Sequence, residues 1–398
     1  MVAIRTRSRF GPPATSGGIV IPIALPLLAD EEADAARAVV LSGWVSQGPQ
    51  VAAFEREFAA LVGAPHACAV SNCTTALQLA LAALDVGAGD EVITVSHSFI
   101  ATANVIRHQG ATPVFVDIDP ETYNLDCARL AEAITERTRA IIAVHQMGMP
   151  CDMAALMAIA RRHGIAVIED AACAAGSQIR IDGEWEPIGK PRGDIACFSF
   201  HPRKVITTGE GGMLTTANAE LDRKFKLLRQ HGMSVPDTVR HNSSSVIFEE
   251  YVVVGYNYRM TDMQAAIGRK QLERLPELIA RRRAVAANYA EQLGNLEELR
   301  LPTEPAWARC NWQSYCVRLP DRLDQRIVMQ NLLDKGIASR RGIVCSHREQ
   351  PYAESRQRHD LRQSELAQDR SILLPLYAQM TDADLLSVVA ALKAEIAK

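Results

Sequence analysis

Ser199-Phe200-His201-Pro202-Arg203-Lys204, running through Val205-Ile206 into Thr207-Thr208-Gly209-Glu210-Gly211-Gly212, decides how this chain reads. It sets one lysine between an apolar strand pattern (195–200) and a glycine-rich turn that leads into a second strand (213–216). A lysine held there is placed to point into a cleft. Lysine also forms Schiff bases with carbonyls once desolvation or a cationic neighbour lowers its pKa. Taken alone, a lysine beside such a turn is most often a solvated loop residue.

Asp170 changes that balance. Ile165-Ala166-Val167-Ile168-Glu169-Asp170 reads as a short buried parallel strand ending in two carboxylates. In open α/β sheets, ligands sit beyond the carboxyl ends of the strands. An aspartate facing a pyridine nitrogen keeps that ring protonated and makes it an electron sink. A Schiff-base lysine with such an aspartate is the signature of pyridoxal phosphate chemistry. The plainer reading of Asp170, a helix N-cap, does not account for the lysine one strand later.

Ser71-Asn72-Cys73-Thr74-Thr75 supplies a candidate phosphate cradle between an apolar strand (67–70) and a helical segment. That arrangement aims backbone N–H groups and the helix dipole at an anion. Thr74 and Thr75 would add hydroxyls, and Ser199 another, although such a helix start is usually just a cap. Phe99 follows the strand at 91–95 and could stack on a cofactor ring, whereas a lone Phe is more often core.

These four elements, in this order, resemble the sugar aminotransferases of the DegT/DnrJ/EryC1/StrS type, within the aspartate aminotransferase fold. The resemblance runs from about Ile21 to the C-terminus. It takes in Ser42-Gly43-Trp44-Val45-Ser46-Gln47-Gly48-Pro49, Gly255-Tyr256-Asn257-Tyr258-Arg259-Met260, Ser339-Arg340-Arg341 and His347. It implies that Lys204 bonds pyridoxal 5'-phosphate as a Schiff base, Asp170 pairs with the pyridine nitrogen and Phe99 stacks on the ring. Thr74, Thr75 and Ser199 match phosphate-binding positions. Asn257 matches a residue that reaches the phosphate of the neighbouring subunit's cofactor, which implies a homodimer with shared sites. Trp44, His347, Arg340 and Arg341 are the substrate-side candidates.

Two positions depart from the commonest pattern. Cys73 stands where Gly often precedes the phosphate-binding Thr, and Cys173 where Gln often contacts the cofactor's phenolic oxygen. A thiol is a weaker donor than an amide, which puts that one contact in doubt. Family members with His in place of the lysine perform dehydration; here the lysine is present, which favours transamination.

The implied reaction moves an amino group from an amino acid, glutamate by analogy, to a keto group of a nucleotide-linked sugar. Residues 144–149 and 254–261 resemble enzymes that make 4-amino-4,6-dideoxy sugars. The alternatives are the same chemistry on a keto-cyclitol, or a cofactor-binding regulator without turnover. Against the regulator stands the complete Lys204–Asp170 pair.

Composition fits an ordinary enzyme: 398 residues, 48% hydrophobic and 22% charged, enough to bury a large core in two domains. The expected division is a flexible tail (1–18), a large cofactor-binding domain (19–262), and a small C-terminal domain with its linking helix (263–398). A net charge of −3 gives no reason to expect nucleic acid or an anionic membrane as partner. Arg281-Arg282-Arg283 reads as a solvated helix face. Nine cysteines without Cys-x-x-Cys spacing argue for reduced thiols in a cytoplasm and against a structural metal site. The apolar stretch 19–28 is too short to span a bilayer and lacks the layout of a secretory signal.

From about residue 50, strands and helices alternate, so a mainly parallel α/β sheet is expected, with helices on both faces. Right-handed crossovers bring the strand ends at 71, 96, 170 and 199 to one edge. A long helix (263–293) then leads to a smaller α+β domain, with strand candidates at 311–319 and 337–339. The polar stretch 229–251 reads equally as a substrate-side loop or a surface excursion.

Overall fold

A computed structural model describes residues 21–235, 239, 243–353 and 358–398. The expected tail, 1–18, and parts of the 229–251 stretch lie outside the described residues.

Helices α1 (Asp30–Ser42) and α2 (Pro49–Val62) precede the sheet. The alternation then runs β1 (His66–Val70), α3 (Cys73–Ala83), β2 (Glu91–Val95), α4 (Ala101–His108) and β3 (Thr112–Val116). It continues through α5 (Cys127–Ala133), β4 (Thr138–Val144), α6 (Met153–His163) and β5 (Ala166–Asp170). A hairpin, β6 (Gln178–Ile181) and β7 (Glu184–Pro187), intervenes before β8 (Ile195–Ser199), β9 (Gly212–Thr216) and α7 (Ala219–Leu228).

Seven strands form one sheet in the order β1-β9-β8-β5-β4-β2-β3. Neighbours from β8 to β3 pair in parallel, and β9 alone is reversed, antiparallel to both β8 and β1. Side chains alternate between two cores, as a pleated strand requires. Ala67 and Ala69 join one core, and Cys68 and Val70 the other. Both faces are therefore buried, which is why the parallel strands read as unbroken apolar runs. A one-residue slip of any strand would exchange its two faces.

An aromatic cluster anchors the strand leading to the lysine. Phe58 meets Phe198 at 4.9 Å between ring centroids and Phe54 meets Phe200 at 5.2 Å, all four rings fully buried. Truncating one such ring to alanine typically costs about 3–5 kcal/mol.

Beyond the sheet, α8 (Asp262–Leu293) opens on a Thr261–Gln264 capping box and packs along α1 and α2. Strand β10 (Ala308–Arg309) pairs with β6. A three-stranded antiparallel sheet follows: β11 (Tyr315–Arg318), β12 (Arg340–Arg341) and, between them, β13 (Ser371–Leu374). Helices α9 (Gln325–Asp334), α10 (Arg362–Arg370) and α11 (Asp382–Ile396) accompany it.

Two local readings are corrected. The strand expected at 337–339 lies at Arg340–Arg341, because the backbone at 336–338 is taken by the N-terminal segment. Ile21 N donates to Gly336 O at 2.7 Å, and Ala338 N to Ile21 O at 2.9 Å. Nor is 281–283 a solvated face. Arg282 is 3% exposed and its Nη1 donates to the carbonyls of Trp312, Gln313 and Leu376. Arg281 and Arg283 pair with Glu277 and Glu304. All nine cysteines are free thiols. Among the described residues, no helix is long and apolar enough to cross a membrane.

Candidate active site

Strands β5 and β8 run in parallel with Asp170 opposite Cys197, so the loops that follow them leave the same edge of the sheet. The loop after β8 closes on itself. Phe200 N donates to Gly211 O, Thr208 N to Phe200 O and Lys204 N to His201 O, at 2.8–3.0 Å. Gly209 turns it with a φ of +81°, a conformation that L side chains rarely adopt. Gln313 then ties the loop to the C-terminal part through its Nε2 and the Arg203 carbonyl.

Inside this frame Lys204 Nζ donates to Cys173 Sγ at 3.1 Å. Burial opposes the ammonium charge, but Cys173, Cys73 and Asp170 outweigh it and hold the lysine above its usual pKa. Burial itself pushes the Cys73 thiol well up. Asp170 is the one carboxylate among the groups that raise the lysine. Asp170 is 6% exposed, and burial raises its carboxyl above the usual range against several opposing contacts. Its Oδ2 accepts from Thr102 Oγ1 at 2.8 Å and its Oδ1 from Ala172 N at 3.2 Å.

The loop before α3 lies beside the reversed strand. A Cβ on Gly212 would come within 2.5 Å of the Asn72 carbonyl, so only glycine lets β9 approach this closely. Asn72 caps the helix: its Oδ1 accepts from Thr75 N at 2.9 Å. The Thr75 hydroxyl proton goes to Asn72 O at 2.7 Å, so Thr75 holds the loop's shape. Thr74, half-buried, has no internal hydrogen bond from its hydroxyl among the described residues. As the second residue of the helix, its N–H also lacks an intrahelical acceptor. Ser199, last in β8, is buried with its Oγ 3.4 Å from His201 N.

Phe99 is 71% exposed, so it is not core but an aromatic presented at the strand edge. Asn257 is exposed too. Its neighbour Tyr258 accepts through its carbonyl from Ser71 N at 2.8 Å, which places the 256–259 stretch against the loop before α3.

The substrate-side candidates scatter. The Trp44 indole N–H donates to Gln47 O at 3.1 Å, and the ring packs on Gly48. Asp262 pins that loop by accepting from Gly48 N, Gln50 N and Val51 N. His347 does not face open space. Its Nδ1 meets Ser96 Oγ at 2.6 Å and its Nε2 meets Glu365 Oε1 at 3.1 Å, so both ring nitrogens are engaged inside the protein. Arg341 lies 3.7 Å from Glu349. Arg340 is exposed, with no carboxylate partner among the described residues. Arg203, exposed beside the lysine, likewise has none; partial desolvation and the nearby Arg340 lower its pKa.

Sequence reasoning does not single out Thr102 or Ser98. Their four-residue spacing across the start of α4 was the available signal, and the structure joins their hydroxyls at 2.9 Å.

Pyridoxal phosphate fits this donor set. The buried Asp170 suits a pyridinium, the Lys204 amine an aldehyde, and the opening turn of α3 a phosphate. The sheet and its carboxyl edge thus describe a pyridoxal 5'-phosphate-dependent aminotransferase. The chain belongs to the DegT/DnrJ/EryC1/StrS aminotransferase family, whose profile matches residues 26–393. It is 42% identical over 381 residues to the GDP-perosamine synthase of Caulobacter vibrioides, covering 94% of this chain and 97% of that one. The crystal structure of the aminotransferase TlmJ from Streptoalloteichus hindustanus superposes with a TM-score of 0.87 at 34% identity, over 95% of this chain and 99% of TlmJ. The structure of Spr1654 from Streptococcus pneumoniae in its PLP form also has a TM-score of 0.87, at 27% identity over 95% and 99% of the two chains.

Proposed function

We propose that this enzyme transfers an amino group from an amino acid, glutamate by family analogy, to a keto group of a nucleotide-linked deoxysugar. The observation that carries the reading is the convergence of Lys204, Asp170 and the α3 N-terminus on one sheet edge. The relation to GDP-perosamine synthase supports a sugar nucleotide. So do Arg203 and Arg340, two cations without carboxylate partners among the described residues. An arginine fork suits a diphosphate, and an unactivated cyclitol offers no such anion.

Pyridoxal phosphate, when bound, supplies an aldehyde that condenses with amines and a ring that takes up the electron pair left on carbon. Lys204 Nζ would hold the aldehyde carbon and, as a free amine, would be the group here able to take up and return a proton, a general acid–base role that requires hydrogen-bond reach of the atoms it serves. Asp170 would keep the ring nitrogen protonated. Phe99 would cover a ring face, and Thr74, Ser199 and the α3 amides would hold the phosphate, with Thr75 shaping the loop. Cys173, already at Lys204 Nζ, would be a weak donor toward the phenolic oxygen.

The substrate is tested by offering the pyridoxamine form a panel of nucleotide ketosugars and keto-cyclitols. Turnover is expected with nucleotide ketosugars alone; turnover confined to cyclitols would overturn the reading.

We further propose that the working unit is a homodimer in which Asn257 completes the partner's phosphate site. The run Val246, Phe248 and Tyr251–Val254 just before it is exposed and apolar, a surface that a second copy would bury. Mixing inactive Lys204→Ala chains with inactive Asn257→Ala chains should restore activity through hybrid dimers. A fully active monomer would contradict the shared site.

A further inference from the structure

Asp170 has more support than the Schiff-base chemistry alone requires. The two hydroxyls that provide it stand on a different element. Ser98 closes the loop after β2 and Thr102 lies in the first turn of α4, both at most 2% exposed. Thr102 Oγ1 is 2.8 Å from Asp170 Oδ2, and Ser98 Oγ is 2.9 Å from Thr102 Oγ1. A hydroxyl has one proton to give. An ionised Asp170 can only accept, so the Thr102 proton points at the carboxylate and Ser98 must donate to Thr102. The polarity of the chain is therefore set: Ser98 to Thr102 to Asp170.

This chain is anchored at its far end. Ser98 N donates to Val344 O at 3.2 Å, and His97 bridges to Cys345, so the loop is held by the segment after β12. Across the carboxylate, Oδ1 takes a single backbone donor, Ala172 N. The two donors fix the carboxylate plane, and both are neutral.

We propose that Thr102, oriented by Ser98, is a positioning residue that holds the Asp170 carboxylate aimed and charged against the cofactor's ring nitrogen. The proposal rests on reading Asp170 as the ring partner. Thr102 donates to the charged form of the acid and so favours it. The other groups facing Asp170 are Lys204 and His145, which also favour its charge, and the buried thiols Cys73 and Cys197, which do not. A hydrogen bond to a charged group is among the stronger ones, so its loss should be measurable.

The test is nitrogen-15 NMR of the full-length holoenzyme loaded with ring-labelled pyridoxal phosphate, titrated with pH. In the wild type the ring nitrogen should remain protonated through neutrality. In Thr102→Val it should lose its proton at least about one pH unit lower, the scale of one lost charged hydrogen bond. Thr102→Ser, which keeps the hydroxyl, should return the titration to the wild-type position, and Ser98→Ala should shift it less than Thr102→Val. A merely structural role would lower thermal stability in Thr102→Val without moving the nitrogen titration, and that result overturns the proposal. Asp170→Asn separates the two claims. If it deprotonates the ring while Thr102→Val does not, the ring pairing stands and the Thr102 role fails; if it leaves the ring protonated, both fail.

Discussion

Glu91 and Asp170 are buried carboxylates at opposite ends of one sheet, and the protein completes them in opposite ways. Glu91 is the first residue of β2, fully buried, and ion-paired to Arg137 and Arg358 with Thr135 Oγ1 at 2.8 Å. The hydrogen bond from Arg358 leads the contacts that hold its pKa below the usual range despite burial. Asp170 is the last residue of β5 and has two neutral donors, with its pKa raised by burial. At the amino edge the protein supplies its own counter-charges, and the carboxylate becomes structure. At the carboxyl edge it supplies orientation and keeps the charge available, as expected where open α/β sheets bind ligands.

Substitution at each position should therefore separate activity from stability. Asp170→Asn removes the charge and nearly preserves shape. It should lower turnover by roughly a hundred- to a thousandfold or more, the scale of one lost electrostatic stabiliser, with little change in melting temperature. Near-native turnover would erase the contrast between the two edges. Glu91→Gln should do the reverse, leaving turnover per folded molecule unchanged while reducing unfolding free energy. Breaking a fully buried ion pair costs about 3–5 kcal/mol. Arg137 and Arg358 are 62% and 32% exposed, so solvent screening reduces the expected loss to about 1–3 kcal/mol. The pH dependence has a definite sign. A depressed folded-state pKa stabilises fully above the unfolded glutamate value of about 4.3, and that stabilisation is lost as pH falls through the folded value. Denaturation curves of wild type and Glu91→Gln should converge on acidification; a constant gap would mean that Glu91 is not charged in the fold.

The same contrast marks what could be read from sequence. Asp170 was legible because it ends a short apolar run, and Lys204 because it follows one closely in a loop before a glycine-rich turn; apolar runs bounded by polar residues report buried parallel strands. Thr102 was not, because its partner lies 68 residues away and its own surroundings read as an ordinary helix opening. The small sheet was read only in part. Its central strand, Ser371–Leu374, is four residues between a helix and Pro375, too short to show a period. The ladder at Arg340–Arg341 was displaced from 337–339 by pairing with Ile21, a contact across more than three hundred residues. Arg282 looked solvated because charge is visible in sequence, whereas the three carbonyls that capture it come from distant loops. His347 read as a substrate-side candidate, whereas the structure engages both its ring nitrogens with Ser96 and Glu365.

The central claim is that Lys204, at the carboxyl edge, bears the cofactor. Borohydride reduction of the holoenzyme followed by peptide mapping tests it most directly. The expected result is one modified peptide, carrying the pyridoxyl group on Lys204, and its disappearance in Lys204→Ala together with turnover while the far-ultraviolet spectrum is unchanged. Label on any other lysine, or an alanine variant that turns over normally, would contradict the account.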